Sequence, residues 1–434
     1  MNNHFDTAVI GGGLAGLIAA TKLAQAGQKV VVLEKAGRLG GRAMTNKKNG
    51  AFFNLGGHAI YLAGEAYAVL QEMGIAMEGA PPSAKVHALW NSEVELMPAT
   101  PLTMMTTKLL SWSGKIGLVR LFAKLNSANP DALGRMSLRA WAEAEIEDPM
   151  VRHMLYALCR TATYAHDPDC QLAGSVLRQV KRSLKGVRYL HGGWQTIVDQ
   201  LEQHARAAGA VIRSGGDVKA IVHHEGAVQK LLLADGAEIG VSHVVSTAPP
   251  SELAKLVQGA EHTTLHRWKE EARPSIASCL DLNLRKLPAP GSNVVLGLDQ
   301  PYFFSHHTLN AKLTEDGTYL VHLVRYLSES ERAQGIEESS LAQVMSILQP
   351  GWEKEVIAKQ YLPRIAVVHD TLHTGRSELH TGPGVPEIRG LYVAGDWVTH
   401  GEMLADASAA SAVRAVNAIL QTGVSQRPRV VHVS

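Results

Sequence analysis

A chain of 434 residues is too long for one ordinary hydrophobic core, so we expect two folded units. Hydrophobic residues make up 46% of it and charged residues 19%, a composition that excludes the disordered and fibrous classes. The 42 basic and 40 acidic residues leave a net charge of +2, which provides no large field for attracting nucleic acid or an anionic membrane.

The three cysteines, Cys159, Cys170 and Cys279, are odd in number and show no C-x-x-C spacing, so neither a disulfide framework nor a metal site is expected. The first residues lack the basic and apolar regions of a secretion signal, and no apolar run is long enough to span a bilayer. These features predict a cytoplasmic protein without a transmembrane segment.

The N-terminal residues follow a strand, turn, helix, strand pattern. Thr7 to Ile10 is β-rich, Leu14 to Ala26 favours a helix, and Lys29 to Leu33 is rich in valine, as in a strand buried on both faces. Gly27 stands just past the helix, where a left-handed residue commonly ends a helix. The pattern predicts one βαβ unit.

The turn of this unit contains the G-x-G-x-x-G motif of dinucleotide-binding folds. Gly11 permits a tight turn, Gly13 lets a pyrophosphate approach the backbone, and Gly16 lets helix and strand pack closely. The phosphates are expected at the positive end of the helix that opens with Leu14 and Ala15. Glu34 ends the second strand, where its carboxylate can bind ribose hydroxyls and would repel a 2′-phosphate.

Residues 64 to 184 have a mostly helical pattern with proline and glycine breaks, which predicts an inserted domain. Within it, Leu96 to Leu125 combines many apolar side chains with four basic residues. One interpretation is a helix pair that roofs the substrate cavity and turns its lysines outward. The other is an amphipathic segment that contacts a membrane surface and admits a lipophilic substrate.

Strands and helices alternate again after this region. The predicted helices are Thr196 to Ala208 and Leu404 to Leu420, and the predicted strands are Ala210 to Arg213, Val218 to His223, Val228 to Leu233, His243 to Thr247, Ile276 to Leu284, Tyr319 to Tyr326 and Leu391 to Ala394. The order predicts an α/β protein with a discontinuous Rossmann-like domain (1–70, 188–250 and 363–434) and an inserted α+β substrate domain (71–187 and 251–362).

The residues after Glu34 indicate whether the dinucleotide is NAD or FAD. The segment from Glu34 through Lys35 to Gly40, Gly41 and Arg42 resembles the extended motif of the flavin amine oxidase, phytoene desaturase and protoporphyrinogen oxidase superfamily. In that superfamily a Gly-Gly-Arg loop wraps the pyrophosphate and ribityl part of FAD. The chemistry agrees, since adjacent glycines admit close approach and arginine offers a planar fork to phosphate oxygens.

Further segments are similar to the same superfamily. Asn54 to His58 resembles the stretch that runs along the flavin, Tyr189 to Trp194 resembles the re-entry into the FAD domain, and Asp217-Val218 lies where a backbone group pairs with adenine. Leu391 to Trp397 resembles the C-terminal signature, whose aspartate, here Asp396, binds the phosphate-ribityl region.

The likeness also implies that a helix N-terminus near Met403 points at the flavin pyrimidine edge, where its dipole favours reduced flavin. The residues expected to bind FAD are Gly11, Gly13, Leu14, Ala15, Gly16, Glu34, Lys35, Gly40, Gly41, Arg42, Gly56, Gly57, His58, Val218, Gly395, Asp396, Met403, Leu404 and Ala405.

The sequence departs from amine oxidases at two places. The stretch Pro274 to Leu280 holds no lysine where many of them carry one near flavin N5, and Gly401 to Leu404 lacks an aromatic pair. The likeness therefore favours a desaturase-like or porphyrinogen-oxidase-like enzyme that transfers a hydride from a C–H bond of an apolar organic substrate to flavin N5, with oxygen or another electron acceptor.

Three alternatives stay open: an amine or amino-acid oxidase that releases hydrogen peroxide, a non-redox flavin isomerase, and a binding protein that only retains FAD. No residue is identified as a catalytic acid or base. His369 and His373 have a spacing that suits a metal only on a helix, and their segment favours an extended or looped backbone, so no metal is expected. His58 is expected to pack against FAD.

Overall fold

The structure is a computed structural model that describes residues 4–425. The outer ends of the predicted segments 1–70 and 363–434, namely residues 1–3 and 426–434, lie outside the described residues. The strands are β1 (His4–Ile10), β2 (Val30–Glu34), β3 (Thr45–Lys48), β4 (Ala51–Asn54), β5 (Ile60–Tyr61), β6 (Gly79–Ala80), β7 (Val86–Trp90), β8 (Glu93–Leu96), β9 (Val187–Leu190), β10 (Val211–Ser214), β11 (Val218–His224), β12 (Ala227–Leu233), β13 (Glu238–Ser246), β14 (Ser275–Leu284), β15 (Val294–Gly297), β16 (Tyr302–His306), β17 (Tyr319–Tyr326), β18 (Val356–Val368) and β19 (Leu391–Val393). The α-helices are α1 (Leu14–Gln25), α2 (Glu65–Glu72), α3 (Pro101–Thr106), α4 (Trp112–Ser127), α5 (Leu138–Glu145), α6 (Pro149–Thr163), α7 (Ala173–Leu184), α8 (Gln195–Ala207), α9 (Pro250–Leu256), α10 (Thr264–Glu271), α11 (Glu338–Leu348) and α12 (Leu404–Ser425).

The first sheet has the strand order β10-β2-β1-β13-β12-β11, and β19 pairs with the end of β13. Strands β10, β2, β1, β13 and β19 run parallel, whereas β12 and β11 are antiparallel. Helices α1, α8, α2 and α12 pack together on one face. All five residues of β2 are buried, as expected for a strand covered on both faces. The predicted α/β Rossmann-like architecture is confirmed.

The second sheet has the order β18-β14-β17-β16-β15-β7-β8. Its strand β14 is buried along all ten residues, and its side chains alternate between two cores. Ala277 and Cys279 join a core with α4, α6 and α7, whereas Leu280, Leu282 and Leu284 pack against α11. Because helices cover both faces of the sheet here, apolar side chains occupy both the odd-numbered and the even-numbered positions of the strand.

The region from 64 to 184 is mostly helical, as expected, but it also contains the hairpin β7–β8, and β7 pairs parallel with β15 in the second sheet. A short apolar strand such as Val86–Trp90 cannot be told from a buried helix segment by its periodicity.

The predicted domain boundaries also differ from the packing at two points. Helices α9 and α10, within the segment 251–362 expected in the substrate domain, bury Leu253, Leu265 and Trp268 in the core of the first sheet. The boundary expected at 363 falls inside β18, which pairs with β14 up to Val368. Contacts between distant segments set both boundaries. Neither boundary coincides with a change in composition, so the sequence does not mark it.

None of the helices within residues 4–425 is long and apolar enough to cross a membrane.

Candidate functional site

A cavity of about 810 Å³ extends from the carboxyl ends of β1 and β2 to the wall formed by β14, β17 and β18. All of the residues that the sequence assigns to FAD line this cavity except Gly16 and Met403. Segments that are hundreds of residues apart in the chain therefore meet at one elongated site. Parallel strands place their connecting turns at the same edge of a sheet, which explains this convergence.

The glycine-rich turn has the geometry that its motif predicts. Gly11 has a φ of 101°, and a side chain there would overlap the hydroxyl of Thr247. Gly16 does not line the cavity, because it faces Gly11 and Val9 at the crossing of α1 and β1. At Gly13 an added Cβ would lie 3.8 Å from the nearest protein atom, the carbonyl oxygen of Gly40. Gly13 is thus open toward the cavity. No protein atom requires a glycine at this position, so the space that a side chain would fill is left for a ligand.

The N-terminus of α1 has no side-chain cap among residues 4–425. Its N-cap residue is Gly13, and no side chain accepts a hydrogen bond from the free N–H groups of the first turn. Leu14 and Ala15 line the cavity at this point. Uncapped N–H groups and the helix dipole together suit a bound phosphate. The donors present therefore fit the pyrophosphate of a dinucleotide.

The carboxylate of Glu34 is held by the backbone around it. Oε2 accepts the N–H of Gly12 and Oε1 accepts the N–H of Ala36, both at 2.8 Å. Glu34 is buried and lines the cavity. Its carboxylate has lone pairs left beyond these two bonds, so it can also accept from ribose hydroxyls.

Arg42 and Asp396 join the two ends of the chain. The guanidinium donates to both carboxylate oxygens, with Nη1 at 2.9 Å and Nη2 at 2.5 Å, and also to the carbonyl of Val367. His369 adds its backbone N–H at 2.6 Å and a ring contact at 3.1 Å. Asp396 is 4% exposed, whereas 34% of the Arg42 side chain is accessible. Arg42 therefore keeps donor capacity toward the cavity that both residues line.

Burial by itself would raise the pKa of Asp396, but the charge and hydrogen bonds of Arg42, with the contact to His369, hold that pKa well below its usual range. Burial would likewise lower the pKa of Arg42, and the Asp396 charge raises it instead. Both groups are ionised across the physiological range. The sequence analysis expected Asp396 to reach the cofactor but did not expect it to orient Arg42.

The segment with Gly56, Gly57 and His58 forms the floor between the two ends of the cavity. Nδ1 of His58 lies 3.0 Å from the carbonyl of Gly56, and Nε2 lies 3.1 Å from that of Arg42. Burial lowers the pKa of His58 despite these contacts, so the ring is neutral and donates to one carbonyl. Its ring nitrogens are engaged with the backbone, which suits a packing role.

At the start of α12, Leu404 adopts a left-handed backbone with a φ of 59°, which is costly for a residue other than glycine. Leu404 and Ala405 line the cavity as expected. Met403 does not line it. Its side chain packs against the core of the substrate domain instead, because the backbone turns at Leu404.

Asp406, in the first turn of α12, was missed by the sequence analysis. It is 1% exposed and lines the cavity, Oδ1 accepts the N–H of Ala66 at 2.9 Å, and Oδ2 has no partner among the described atoms. Burial raises the pKa of Asp406 to about 6, opposed by the Ala66 N–H and Arg182 and assisted by Glu65 and Glu402. No motif marks it, since an aspartate in a first helical turn is common.

The far end of the cavity is walled by the second sheet and by two tyrosines. The residues in this wall are Tyr61, Tyr164, Ala277, Cys279, Val324, Arg364, Ile365, Ala366 and Val367. The hydroxyl of Tyr164 donates to the carbonyl of Gly57 at 2.5 Å, and that of Tyr61 to Ala162 at 3.0 Å. Both rings therefore turn apolar surface to the cavity. These contacts link residues far apart in sequence and carry no local signal.

At the opposite end the cavity is lined by the stretch from Gly216 to Lys219 and by Glu252 and Lys255. Val218, the expected adenine neighbour, lies here at the start of β11. Among residues 4–425 no group of three or more histidine, cysteine or acidic side chains is arranged to hold a metal ion. His369 and His373 lie in a loop after β18, and His369 contacts Asp396 instead.

The comparisons with known proteins agree with this geometry. The family of flavin containing amine oxidoreductases matches residues 14–420. Prolycopene isomerase from Daucus carota is 22% identical over 465 residues, which cover 93% of this chain and 72% of that protein. An oxidoreductase from Methanosarcina mazei has a TM-score of 0.77 at 20% identity, with 95% and 100% of the two chains covered. Putrescine oxidase with bound putrescine has a TM-score of 0.74 at 16% identity, with 96% and 99% covered. At these identities the solved structures show a shared fold.

Replacing Glu34 tests the ribose end of the site. We expect Glu34→Ala to weaken FAD binding roughly 10- to 150-fold, because charge-assisted hydrogen bonds are worth about 1.5–3 kcal/mol. Glu34→Gln keeps one acceptor oxygen, so its affinity for FAD should lie between those of Glu34→Ala and the wild type. Ultrafiltration followed by flavin absorbance measures the retained FAD. Full retention by Glu34→Ala after extensive dilution would refute the assignment.

Replacing the pair that joins the chain ends tests its contribution. We expect Arg42→Gln or Asp396→Asn alone to cost about 3 kcal/mol of stability, because each leaves a charge uncompensated. The double variant should recover about 1–3 kcal/mol of the summed loss. Urea unfolding of the wild type, the single variants and the double variant gives the coupling free energy of the pair. The exposed pair Lys47–Glu315 is the control, and its coupling free energy should be below about 1 kcal/mol. Additive losses in the Arg42–Asp396 cycle would contradict the pairing.

The raised pKa of Asp406 predicts that the free energy of unfolding depends on pH. Its pKa rises from 3.8 to about 6 on folding, so its stabilising contribution is complete below the unfolded value and is lost as the pH rises through about 6. Asp406→Asn removes that loss, and above about pH 6 it should be more stable than the wild type by about 3 kcal/mol, the equivalent of two pKa units. Unfolding midpoints at saturating FAD across this pH range measure it. The exposed Glu225→Gln should shift stability by under about 0.5 kcal/mol. A pH-independent difference would rule out the titration.

Proposed function

The chain belongs to the family of flavin containing amine oxidoreductases and is an FAD-dependent oxidoreductase, and we propose that it oxidises an apolar organic substrate by transfer of a hydride from a substrate C–H bond to flavin N5. The electron pair leaves with the hydrogen, and the substrate cation loses a proton to solvent. Reoxidation by oxygen or another acceptor completes the cycle. The chemistry that FAD supplies when bound is two-electron acceptance at N5.

The observation that carries this proposal is the wall of the cavity formed by the second sheet. Strands β14, β17 and β18 contribute alanine, cysteine, valine and isoleucine side chains, and Arg364 is the single charged residue that these strands contribute within the described chain. A pocket built from such groups favours apolar ligands with few polar anchors. Arg364 is exposed, and its Nε donates to the carbonyl of Arg332.

The buried thiol and phenol groups of this wall stay neutral. Burial raises the pKa of Cys279 well above that of an ordinary thiol, and it raises the pKa of Tyr164 well above that of an ordinary phenol. The Tyr164 hydroxyl also donates to Gly57, so it is not free to anchor a substrate. An apolar substrate would replace water in this space without stranding a charge.

The side chains of this protein have defined roles in the proposal. The uncapped first turn of α1 and the accessible face of Arg42 hold the phosphates. The positive end of α12 at Leu404 and Ala405 stabilises negative charge that develops beside it. Tyr61, Tyr164 and the second sheet exclude water from the reacting end. These roles need no side chain to act as an acid or base.

An amine or amino-acid oxidase is the first rival. The likeness in fold to putrescine oxidase supports it. However, β14 carries no lysine, and Ala277 and Cys279 occupy its cavity-facing positions. The carboxylate lining the cavity nearest the start of α12, Asp406, has a raised pKa and an existing bond to Ala66. A cationic substrate would meet no dedicated partner on the second sheet.

A non-redox isomerase is the second candidate, and one observation favours it. The relative that covers 93% of the chain is a prolycopene isomerase, whose substrate name denotes an apolar polyene. The same apolar wall would serve either reaction. The two differ in electron balance, because an isomerase consumes no acceptor over a complete cycle.

An anaerobic screen of polyenes, porphyrinogens, amines and amino acids tests the proposal with the FAD-loaded protein. We expect a polyene or porphyrinogen to bleach the oxidised-flavin absorbance and to leave a product that has lost two hydrogens. Isomerised product without bleaching would select the isomerase. Bleaching by amines alone, with peroxide on admission of air, would select the oxidase.

Ile365 offers a matched pair of variants for the same assay. Ile365→Asp should slow bleaching by an apolar substrate about tenfold or more, because it places a carboxylate in an apolar wall. The asparagine of Ile365→Asn has nearly the same shape as the aspartate but carries no charge, so this variant should lose less of the bleaching rate. Equal rates in both variants and the wild type would show that the substrate does not contact this wall.

A further inference from the structure

Helices α3 and α4 expose a set of large apolar side chains, which we call the α3–α4 patch. Its members are Leu102 and Met105 on α3 and Trp112, Ile116, Val119 and Phe122 on α4. Trp112 is 77% exposed, and Leu102 and Met105 are each 72% exposed. On α4 the four positions are separated by four, three and three residues, so they form one stripe along the helix.

This stripe is not the face that anchors α4 to the protein. Gly114, Leu118, Leu121 and Leu125 are buried on the opposite side, and the three leucines join the core that includes Cys279 and Val324 of the cavity wall. An ordinary surface helix is apolar on one face and polar on the other. Helix α4 is apolar on both, although only one face contributes to folding.

A helix pair that roofs the cavity with its lysines outside is one of the two expectations for this segment. The segment forms the helices α3 and α4, and Leu102, Met105 and Trp112 are exposed together with Lys108 and Arg120. The basic side chains flank them. Nζ of Lys115 lies 5.0 Å from the centre of the Trp112 ring and donates to the carbonyl of Met105.

The charged residues of the segment that carries the patch are all basic. Residues 96–130 contain Lys108, Lys115, Arg120 and Lys124 and no aspartate or glutamate. Lys124 pairs with Glu145, whereas Lys108 and Arg120 are exposed and form no ion pair with any residue in 4–425. The nearby Asp148 is engaged as the cap of α6, where it accepts the N–H groups of Met150 and Val151.

We propose that the α3–α4 patch docks this protein on the surface of an anionic lipid bilayer. Exposed apolar side chains with tryptophan, flanked by unpaired cations, match an interface whose outer layer is anionic and whose interior is apolar. A second copy of the chain fits less well, because a symmetric contact through this patch would bring Lys108 and Arg120 of two copies together. The inference does not depend on the substrate.

Vesicle flotation of the full-length, FAD-loaded protein tests the proposal. We expect binding to phosphatidylcholine vesicles that contain about one-third phosphatidylglycerol, and weaker binding to pure phosphatidylcholine. The double variant Trp112→Ser and Ile116→Ser should lower the partition coefficient more than about tenfold, since both apolar anchors are lost. The double variant Lys108→Gln and Arg120→Gln should lower it roughly 5-fold for each cation, on anionic vesicles only.

Exposed apolar residues elsewhere provide matched controls. Leu309 is 44% exposed and Val211 is 41% exposed, and both lie outside the patch. Leu309→Ser and Val211→Ser should leave vesicle binding unchanged. All of these positions are exposed, so the variants should fold, and retained flavin absorbance verifies that they do.

Fluorescence quenching by brominated lipids locates the contact. Trp112 is strongly exposed, whereas Trp141, Trp194, Trp268, Trp352 and Trp397 are buried. We expect the lipid to quench part of the emission in the wild type and to quench little in Trp112→Phe. Absence of vesicle binding, or equal loss in the Leu309 and Trp112 variants, would overturn the proposal. So would dimers in solution that Trp112→Ser separates, or binding only to a protein partner.

Discussion

The ion pair between Arg42 and Asp396 holds together the two ends of the chain that enclose the cavity. Arg42 follows the first βαβ unit, Asp396 follows β19, and His369 brings the loop after β18 to the same carboxylate. Strand pairing puts Asp396 near Arg42, but their bond sets the orientation of the guanidinium toward the site. Because Asp396 is buried, removing its partner is costly, whereas the intact pair stays ionised at physiological pH.

The rest of the cavity follows from the two sheets that meet at this pair. The first sheet contributes turns, helix N-termini and polar backbone, which suit a phosphate-bearing cofactor. The second sheet contributes short apolar side chains from β14, β17 and β18, which suit an apolar substrate. In this arrangement bound FAD would lie across the boundary of two chemically different environments, with the redox chemistry supplied by the cofactor and the binding and water exclusion by the protein.

The α3–α4 patch extends this organisation to the protein surface. Leu118, Leu121 and Leu125 pack in the core beneath, together with Cys279 and Val324 of the cavity wall, while Trp112 and Ile116 face outward on the same helix. One helix thus connects the exposed α3–α4 patch with the core beneath the apolar end of the cavity. A net charge of +2 conceals this feature, because the cations are concentrated locally and their counter-charges lie elsewhere.

Short motifs are enough to predict the βαβ unit, the tight turn at Gly11, the close helix–strand packing at Gly16 and the likeness to the FAD family, because their spacing reflects local backbone geometry. Long β-rich runs also place β14 and β17 to within a residue. Packing between distant segments sets the rest: β7 joins the second sheet, α9 and α10 pack on the first, Met403 lies outside the cavity lining, and Tyr164, His369 and Asp406 line the cavity. Those outcomes depend on contacts between distant segments, which leave no pattern in the sequence near either partner.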